Sequence, residues 1–269
     1  MPLDVSAAVI RNVRLSAEYN VLTLEAPAIG EQTRPGQFVM VKGDLPADSI
    51  LRRPFSVFEV IRERDRVVGI SIFNKRAGRN TRALYGVEPG ERLACLGPLG
   101  KPFGPSPAPE AWMVAGGVGL APFATLADSL LSSGIPTTLF YGARTGGELF
   151  YLEFFERLGV RLVLATEDGS RGVRGRVTAP LESALAELPD HGKAAMVYAC
   201  GPEPMLAAVA KLANQFGQAC EVSVERVMGC GLGGCYSCVV SVRNGSGHPH
   251  FVRSCLAGPV FDGSAVVWE

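Results

Sequence analysis

The chain has 269 residues, which is enough for two compact domains and a short appendage. Its 26 basic residues balance 26 acidic ones, so we expect neither nucleic acid nor a membrane as a partner. Charges at Asp4 and Arg11 interrupt the first residues, and no window approaches ~18 consecutive apolar residues. The sequence therefore predicts a cytoplasmic protein whose cysteines serve as thiols or metal ligands rather than disulfides.

The first part of the chain, residues 1–105, is predicted to form an antiparallel β-barrel or sandwich. Short β-rich runs are separated by turns, and no long helical period is present. The runs are Ala8–Leu15, Val21–Ala26, Gln37–Val41, Ser56–Ile61 and Arg66–Phe73. A glycine- and proline-rich segment over residues 97–109 marks the boundary of this domain.

Strands and helices alternate in the second part, residues 106–222. The predicted strands are Trp112–Ala115, Thr137–Tyr141, Arg161–Thr166, Ala195–Cys200 and, as the last one, Cys220–Glu225. The predicted helices are Phe123–Ser132, Leu149–Leu158, Val177–Glu187 and Met205–Phe216. This alternation predicts an α/β domain with a parallel sheet covered on both faces and a ligand site at the carboxyl ends of its strands.

The last part, residues 223–269, contains four clustered cysteines: Cys230, Cys235, Cys238 and Cys255. Their C-x4-C-x2-C spacing with a distant fourth cysteine is the plant-type [2Fe–2S] pattern. Three glycines between the first two cysteines allow a tight loop whose amides approach the sulfur atoms. A segment this short cannot build its own core, so a bound cluster would stabilise it as a small C-terminal module.

Structural zinc and ordinary buried cysteines are the alternatives to a cluster. Zinc usually takes ligands from two short C-x2–4-C pairs, and only one such pair is present here. The cysteines outside the group, such as Cys95 and Cys220, are expected to be small core residues.

Two segments of the first domain are candidates for a flavin site. One consists of Arg53, Pro54, Phe55 and Ser56, in which an arginine is able to neutralise a diphosphate beside a proline that fixes the chain. The other is a turn that contains Asn74, Gly78, Asn80 and Thr81. Such a turn before a helix is suited to phosphate. An ordinary strand start and a solvated loop are the alternative interpretations.

Two strand-to-helix turns of the second domain are candidates for a nicotinamide site. Glycines in the first turn let backbone amides meet a pyrophosphate, and prolines make the second turn rigid. The residues are Gly116, Gly117 and Gly119, followed by Cys200, Gly201, Pro202 and Met205. The alternative for the first turn is a plain glycine-rich connection. No catalytic side chain is singled out.

Together these motifs resemble the ferredoxin-reductase superfamily. The segments 225–238 and 255–261 are similar to the electron-transfer subunits of class 1B dihydroorotate dehydrogenases. The resemblance implies FAD, a [2Fe–2S] cluster and NAD(H), with electrons passing between a partner's FMN and NAD in pyrimidine biosynthesis. It further implies an FMN-containing catalytic subunit as partner, in a heterotetramer with two copies of each chain. The family usually has glycine where this chain has Asn80.

Other functions fit the same motifs. One is a diaphorase-type subunit of a cytosolic hydrogenase or a ferredoxin:NADP oxidoreductase. Another is a non-enzymatic redox sensor or zinc-stapled binding protein. We expect NADH rather than NADPH, although Arg144 is placed either to meet a 2′-phosphate or to form a surface ion pair.

Overall fold

A computed structural model describes residues 1–43, 51–188 and 194–268. Its strands form a closed barrel, a seven-stranded sheet and a two-stranded hairpin in the described part of the chain. The multi-domain fold predicted from the sequence, with an antiparallel barrel, a parallel sheet and a C-terminal module, is confirmed.

The barrel has six antiparallel strands in the order β1-β2-β5-β4-β3-β6. They are β1 (Leu3–Arg14), β2 (Tyr19–Leu24), β3 (Phe38–Lys42), β4 (Arg53–Glu63), β5 (Arg66–Lys75) and β6 (Arg92–Leu99). Helix α1 (Pro27–Gln32) precedes β3, and α2 (Arg79–Gly86) precedes β6. The sequence did not predict β6, which closes the barrel by pairing with both β1 and β3.

Alternation along the barrel strands separates two apolar surfaces. Leu22, Leu24, Ile70 and Ile72 point into the barrel core. Phe73, one position further along β5, belongs instead to the core shared with the second domain. Because successive side chains of a strand point to opposite faces, one set fills the barrel core and the other packs against the second domain.

The seven-stranded sheet has the order β10-β9-β8-β7-β11-β12-β15. Its strands are β7 (Glu110–Gly116), β8 (Thr137–Ala143), β9 (Arg161–Thr166), β10 (Val173–Arg174), β11 (Ala195–Cys200), β12 (Ala219–Ser223) and β15 (Val260–Asp262). The helices beside it are α3 (Phe123–Ser132), α4 (Leu152–Leu158), α5 (Thr178–Ala186) and α6 (Glu203–Gln215). All described neighbours pair in parallel except β12 and β15, which are antiparallel.

The two faces of this sheet bury different partners. Met113 packs in the core that contains α3, α4 and the barrel aromatics. Its neighbour Val114 packs in the core that contains α5 and α6. Val240 and Val242 of the C-terminal hairpin join this second core, so the barrel and this hairpin pack on opposite faces of the sheet.

Several predicted elements coincide with the observed ones, including α3, β9 and β11. The predicted helix Leu149–Leu158 begins only at Leu152, because Tyr151 has the left-handed φ of 59° at its N-terminus. The prediction that Cys220–Glu225 is the last strand was wrong, since β15 adds to the sheet beyond β12. The tail also contains β13 (Val239–Arg243), β14 (Pro249–Arg253) and the short α7 (Ser254–Ala257).

Candidate functional site

A cleft of about 950 Å³ lies between the barrel and the carboxyl ends of the sheet strands. Twelve of the residues predicted as cofactor ligands line it: Arg53, Pro54, Phe55, Ser56, Thr81, Gly116, Gly117, Gly119, Cys200, Gly201, Pro202 and Met205. The structure thus brings the two candidate flavin segments and the two candidate nicotinamide turns to one cavity. Such a position, at the strand ends of an α/β sheet, is where nucleotides bind.

On the barrel side, Thr81 organises the turn before α2. Its Oγ1 accepts hydrogen bonds from the backbone N–H groups of Ala77 at 2.9 Å and Gly78 at 2.8 Å. The opposite edge of this wall is the start of β4, where Arg53 and Ser56 face the cleft. The wall therefore offers the Arg53 guanidinium and the Ser56 hydroxyl, donors that suit a phosphate-bearing flavin nucleotide.

Three other predicted residues do not line the cleft. Asn74 is fully buried, and its Nδ2 donates to the carbonyl of Thr81 at 2.9 Å and to Asn20 Oδ1 at 2.7 Å. Asn80 is also buried, and its Nδ2 donates to the carbonyl of Leu51 at 3.0 Å. Gly78 lies at the outer end of the turn in open space. Asn74 and Asn80 therefore support the turn from behind.

On the sheet side, glycines let two turns touch. A Cβ on Gly119 would lie 2.1 Å from the carbonyl oxygen of Cys200, so only glycine fits there. A Cβ on Gly201, whose φ is +156°, would lie 2.7 Å from Met205 Cε and 3.0 Å from the nitrogen of Gly116. The turn after β7 and the turn after β11 consequently form one continuous floor beneath the cleft.

Cys200 is the thiol at this floor. Burial raises its pKa to about 12, although a hydrogen bond with Ser223 acts in the opposite direction. The thiol therefore stays neutral at physiological pH and presents an uncharged sulfur to any ring bound above it.

Other residues of the cleft were not predicted. Lys75, at the end of β5, lies 5.2 Å from the centre of the Tyr19 ring. Met228 and Pro259 from the C-terminal module also line the cavity. In the sequence, only its position at the end of a strand indicates that Lys75 lines the cleft. Nothing in the sequence indicates this for Met228.

Arg144 lies at the cleft, but its guanidinium is held by Glu148, with Nε at 3.2 Å from Oε2. This bond lowers the pKa of the Glu148 carboxyl, so the pair is ionised at neutral pH. Of the two positions the sequence allowed for Arg144, the structure shows the ion pair.

The four cysteines of the tail come as two pairs. Cys235 Sγ lies 3.1 Å from Ser237 Oγ, and hydrogen bonds with Ser237 and then Cys230 lower its pKa to about 6. Cys238 and Cys255 are buried together. Among the described residues, no three His, Cys, Asp or Glu side chains converge as ligands of one ion. Two pairs of thiols suit the two irons of a [2Fe–2S] cluster better than a single zinc ion.

The loop around these cysteines fits an iron–sulfur cluster in two further respects. The backbone N–H groups of Leu232 and Gly234 each point at Cys230 Sγ at 3.3 Å, a contact that stabilises ligated thiolates. Beside Cys255, the hydroxyl of Ser254 is buried and has no hydrogen-bond partner among the described residues. A buried hydroxyl of this kind requires an acceptor, and the sulfur of a bound cluster would supply one.

The cysteines and the cleft adjoin each other. Met228 lines the cleft and also packs in one core with Cys238 and Cys255. Phe38 of the barrel does the same. Met228 and Phe38 therefore belong both to the lining of the cleft and to the apolar core that contains the two buried thiols.

Family comparisons agree with this division of the chain. Residues 225–267 match the family model described as the iron-sulfur cluster binding domain of dihydroorotate dehydrogenase B. Residues 113–211 match the oxidoreductase NAD-binding domain. A dihydroorotate dehydrogenase B (NAD(+)) electron transfer subunit of Bacillus caldolyticus is 36% identical, covering 96% of each chain. This chain belongs to that family. The electron transfer subunit of Desulforamulus reducens is 34% identical, covering 92% of each chain.

Solved structures with a similar fold agree with this family assignment. The structure of an NADH-dependent reduced ferredoxin-NADP oxidoreductase superposes with a TM-score of 0.82 at 26% identity, covering 98% of this chain and 90% of that one. A ferredoxin NADP+ reductase of Neisseria gonorrhoeae with bound FAD and NADP superposes with a TM-score of 0.65 at 17% identity, covering 80% and 92%. The ferredoxin-reductase-like fold and the predicted cofactors FAD, NAD and the iron–sulfur cluster are thereby confirmed. No helix in the described ranges is long and apolar enough to cross a membrane.

Proposed function

We propose that this chain is the electron-transfer subunit of an NAD-dependent dihydroorotate dehydrogenase of pyrimidine biosynthesis. It passes electrons between the FMN of a separate catalytic subunit and NAD, and it acts in the cytoplasm. The observation that carries the proposal is that Met228 and Phe38 each border both the nucleotide cleft and the buried cysteines. This adjacency supports an electron path whose two ends lie next to each other within one polypeptide.

We further propose the division of labour among residues. Residues 1–105 bind FAD, with Arg53, Pro54, Phe55, Ser56 and Thr81 in contact and Asn74, Gly78 and Asn80 holding the turn. Residues 106–222 bind NAD through the turns of residues 116–119 and 200–205. Residues 223–269 hold the cluster through Cys230, Cys235, Cys238 and Cys255.

FAD bound in the cleft would exchange two electrons with nicotinamide and single electrons with the cluster. The protein's own contribution is placement. Because Gly119 and Gly201 have no side chains, the two turns pack closely and leave room for a ring to approach the barrel wall. The neutral Cys200 thiol lies beneath the position of that ring. Met228 and Phe38 fill the space towards the cysteines with apolar atoms and so keep water from the path.

The structure also supports NADH over NADPH. The guanidinium of Arg144 is bound to Glu148 and is not free to bind a 2′-phosphate. The carboxylate of Glu148 would also repel a 2′-phosphate. We expect Glu148→Gln to free Arg144 and to raise kcat/KM for NADPH several-fold while NADH turnover changes little. Diaphorase assays with both nucleotides test this, with the exposed Glu153→Gln as control; an unchanged nucleotide ratio contradicts it.

The partner's binding surface is proposed to be the apolar face of the module. This face consists of Val227, Leu232, Tyr236, Phe251 and Leu256. Val227 is 82% exposed and Phe251 75%, which is unusual for a cluster of large apolar side chains on a lone subunit. Because these residues lie before, between and after the cysteines in the chain, a catalytic subunit seated on them would bring its FMN close to the cluster.

We expect Phe251→Ser to weaken binding of the FMN-containing catalytic subunit at least tenfold, because a core contact of the interface is lost. Calorimetric titration of the two purified holoproteins measures this. Ile10→Ser, which removes an exposed apolar side chain from the barrel, is the matched control and should bind normally. Equal affinities of the two variants would show that the partner binds elsewhere.

The decisive experiment reconstitutes the enzyme. The purified chain, mixed with the catalytic subunit, should reduce NAD⁺ with dihydroorotate, whereas neither subunit should do so alone. Light scattering of the mixture tests the proposed assembly of two copies of each chain. A protein that shows neither flavin nor iron–sulfur absorption would refute the proposal.

A ferredoxin-linked function is the second candidate, because the NADH-dependent reduced ferredoxin-NADP oxidoreductase covers 98% of this chain. Its identity of 26% is lower than the 36% shared with the Bacillus caldolyticus subunit. Reduction of ferredoxin by NADH in place of dihydroorotate-dependent activity would favour this candidate.

A further inference from the structure

One peptide group of the cysteine loop is bound at both ends. The N–H of Gly234 donates to Cys230 Sγ at 3.3 Å. The carbonyl of Gly233 belongs to the same planar peptide, and it accepts a hydrogen bond from Nη1 of Arg253. Because the peptide is rigid, holding the carbonyl oxygen also fixes the direction of the N–H towards the sulfur.

Arg253 is itself held in place. It ends β14, two positions before Cys255. Its guanidinium lies 4.5 Å from the centre of the Tyr236 ring, which is within the range of a cation–π contact. Tyr236, between Cys235 and Cys238, has a left-handed φ of 55°, a conformation that such a bulky residue adopts only when its surroundings hold it.

We propose that Arg253 is a positioning residue that raises the reduction potential of the cluster. It acts through the Gly233–Gly234 peptide, whose N–H it aims at Cys230, and through its own positive charge beside the cysteine loop. The inference rests on the proposed cluster at the four cysteines and goes beyond it by naming the side chain that sets how readily the cluster accepts an electron.

The direction of the effect follows from electrostatics. Reduction adds a negative charge to the cluster, and hydrogen bonds to cysteine sulfur as well as nearby positive charge favour that state. A guanidinium bound to a carbonyl polarises the peptide, so its N–H becomes a stronger donor to sulfur. Removal of Arg253 therefore lowers the potential by two routes that act in the same direction.

The test is a redox titration of the holoprotein followed by electron paramagnetic resonance of the reduced cluster. Iron, sulfide and FAD contents are measured first. For Arg253→Gln we expect the ratio of reduced to oxidised cluster at a fixed potential to fall about tenfold, which corresponds to about 59 mV for a one-electron couple. Arg253→Lys keeps the charge but not the planar fork, so its potential should lie between those of Gln and wild type.

Arg243→Gln is the matched control, because Arg243 lies at the far end of the same hairpin and bonds the carbonyl of Gly247. Its potential should equal that of the wild type. If Arg253→Gln does not retain a cluster, the potential of Arg253→Lys is compared with that of the wild type instead. A loaded Arg253 variant with the wild-type potential overturns the inference. A wild-type protein without a cluster instead refutes the proposed function.

Discussion

The barrel and the C-terminal module have opposite relations to apolar surface. The barrel encloses its large apolar side chains, including Leu22, Leu24, Ile70 and Ile72, in a core of its own. The buried residues of the module instead join cores that belong mainly to other parts of the molecule: Cys238 and Cys255 pack with the barrel, and Val240 packs with the sheet. Much of the module's remaining apolar surface forms the exposed apolar face.

This difference indicates how each part is stabilised. The closed six-stranded barrel is stabilised by burial of apolar area in its own core, at about 25 cal/mol per Å². The module lacks an independent core and depends on its neighbours and, in our proposal, on a cluster bound by its four cysteines. Flavin binding and cluster binding should consequently respond to different substitutions.

The largest expected effect is the loss of one cofactor without the other. Cys235 is exposed, so Cys235→Ser creates no buried cavity, yet it removes one of the four proposed ligands. We expect the iron and sulfide content to fall to near zero while FAD remains at wild-type level. Cofactor analysis of the purified variant measures both, with Cys95→Ala in the barrel as a control that keeps the cluster. Simultaneous loss of FAD would show that the two parts are not independent.

The converse substitution concerns the barrel core. Ile72 is fully buried, and Ile72→Ala should lower the free energy of unfolding by about 2–5 kcal/mol, since a cavity remains. FAD should dissociate earlier in a denaturant titration, which flavin fluorescence detects. Ile10→Ala, at an exposed position of β1, should change the stability by less than about 0.5 kcal/mol. Equal effects of the two substitutions would contradict a barrel stabilised by its core.

The smallest effect concerns the attachment of the module to the sheet domain. Arg226 donates two hydrogen bonds to Glu203, at 2.6 Å and 2.9 Å, and this pairing lowers the pKa of the Glu203 carboxyl. A lowered pKa contributes stability above the ordinary value of 4.5, and this is lost as the pH falls through the folded-state value. Since the pair is partly exposed, its contribution is about 0.2–1 kcal/mol.

Arg226→Gln should therefore destabilise the protein by that amount at neutral pH, and the difference should shrink in acid. Denaturant unfolding at both pH values measures it. Lys211→Gln, an exposed charge on α6, should show no such pH-dependent difference. A difference between Arg226→Gln and wild type that grew in acid would contradict the assigned sign.

The sequence predicted best where a residue type has one dominant physical use. Cysteine spacing predicted a cluster-binding segment, in agreement with the family model that matches residues 225–267, and glycine after a strand predicted the tight turn at Gly119. It was less specific where one type of side chain has two uses. Asn74 and Asn80 were assigned to the flavin, but both are buried amides that hold the barrel wall, because an asparagine in a turn looks the same in either role.

Other features escaped prediction because they are defined by distant neighbours. β6 begins with a charged residue and contains a glycine and a proline, so its pattern does not resemble a strand. β15 has only three residues and becomes a strand by pairing with β12. Met228 lines the cleft and also packs in the core of Cys238 and Cys255. These contacts are made with residues distant in the sequence, so no local pattern predicts them.

The pairing of β15 with β12 also bears on how the chain tolerates truncation. The protein returns to its sheet after the last cysteine, so cutting away the module before residue 225 would strip β12 of its antiparallel partner. The hydrogen-bonding groups on that side of β12 would then form an open edge strand, which invites self-association. The C-terminal module therefore covers an edge of the nucleotide-binding domain. It cannot be removed without exposing that edge.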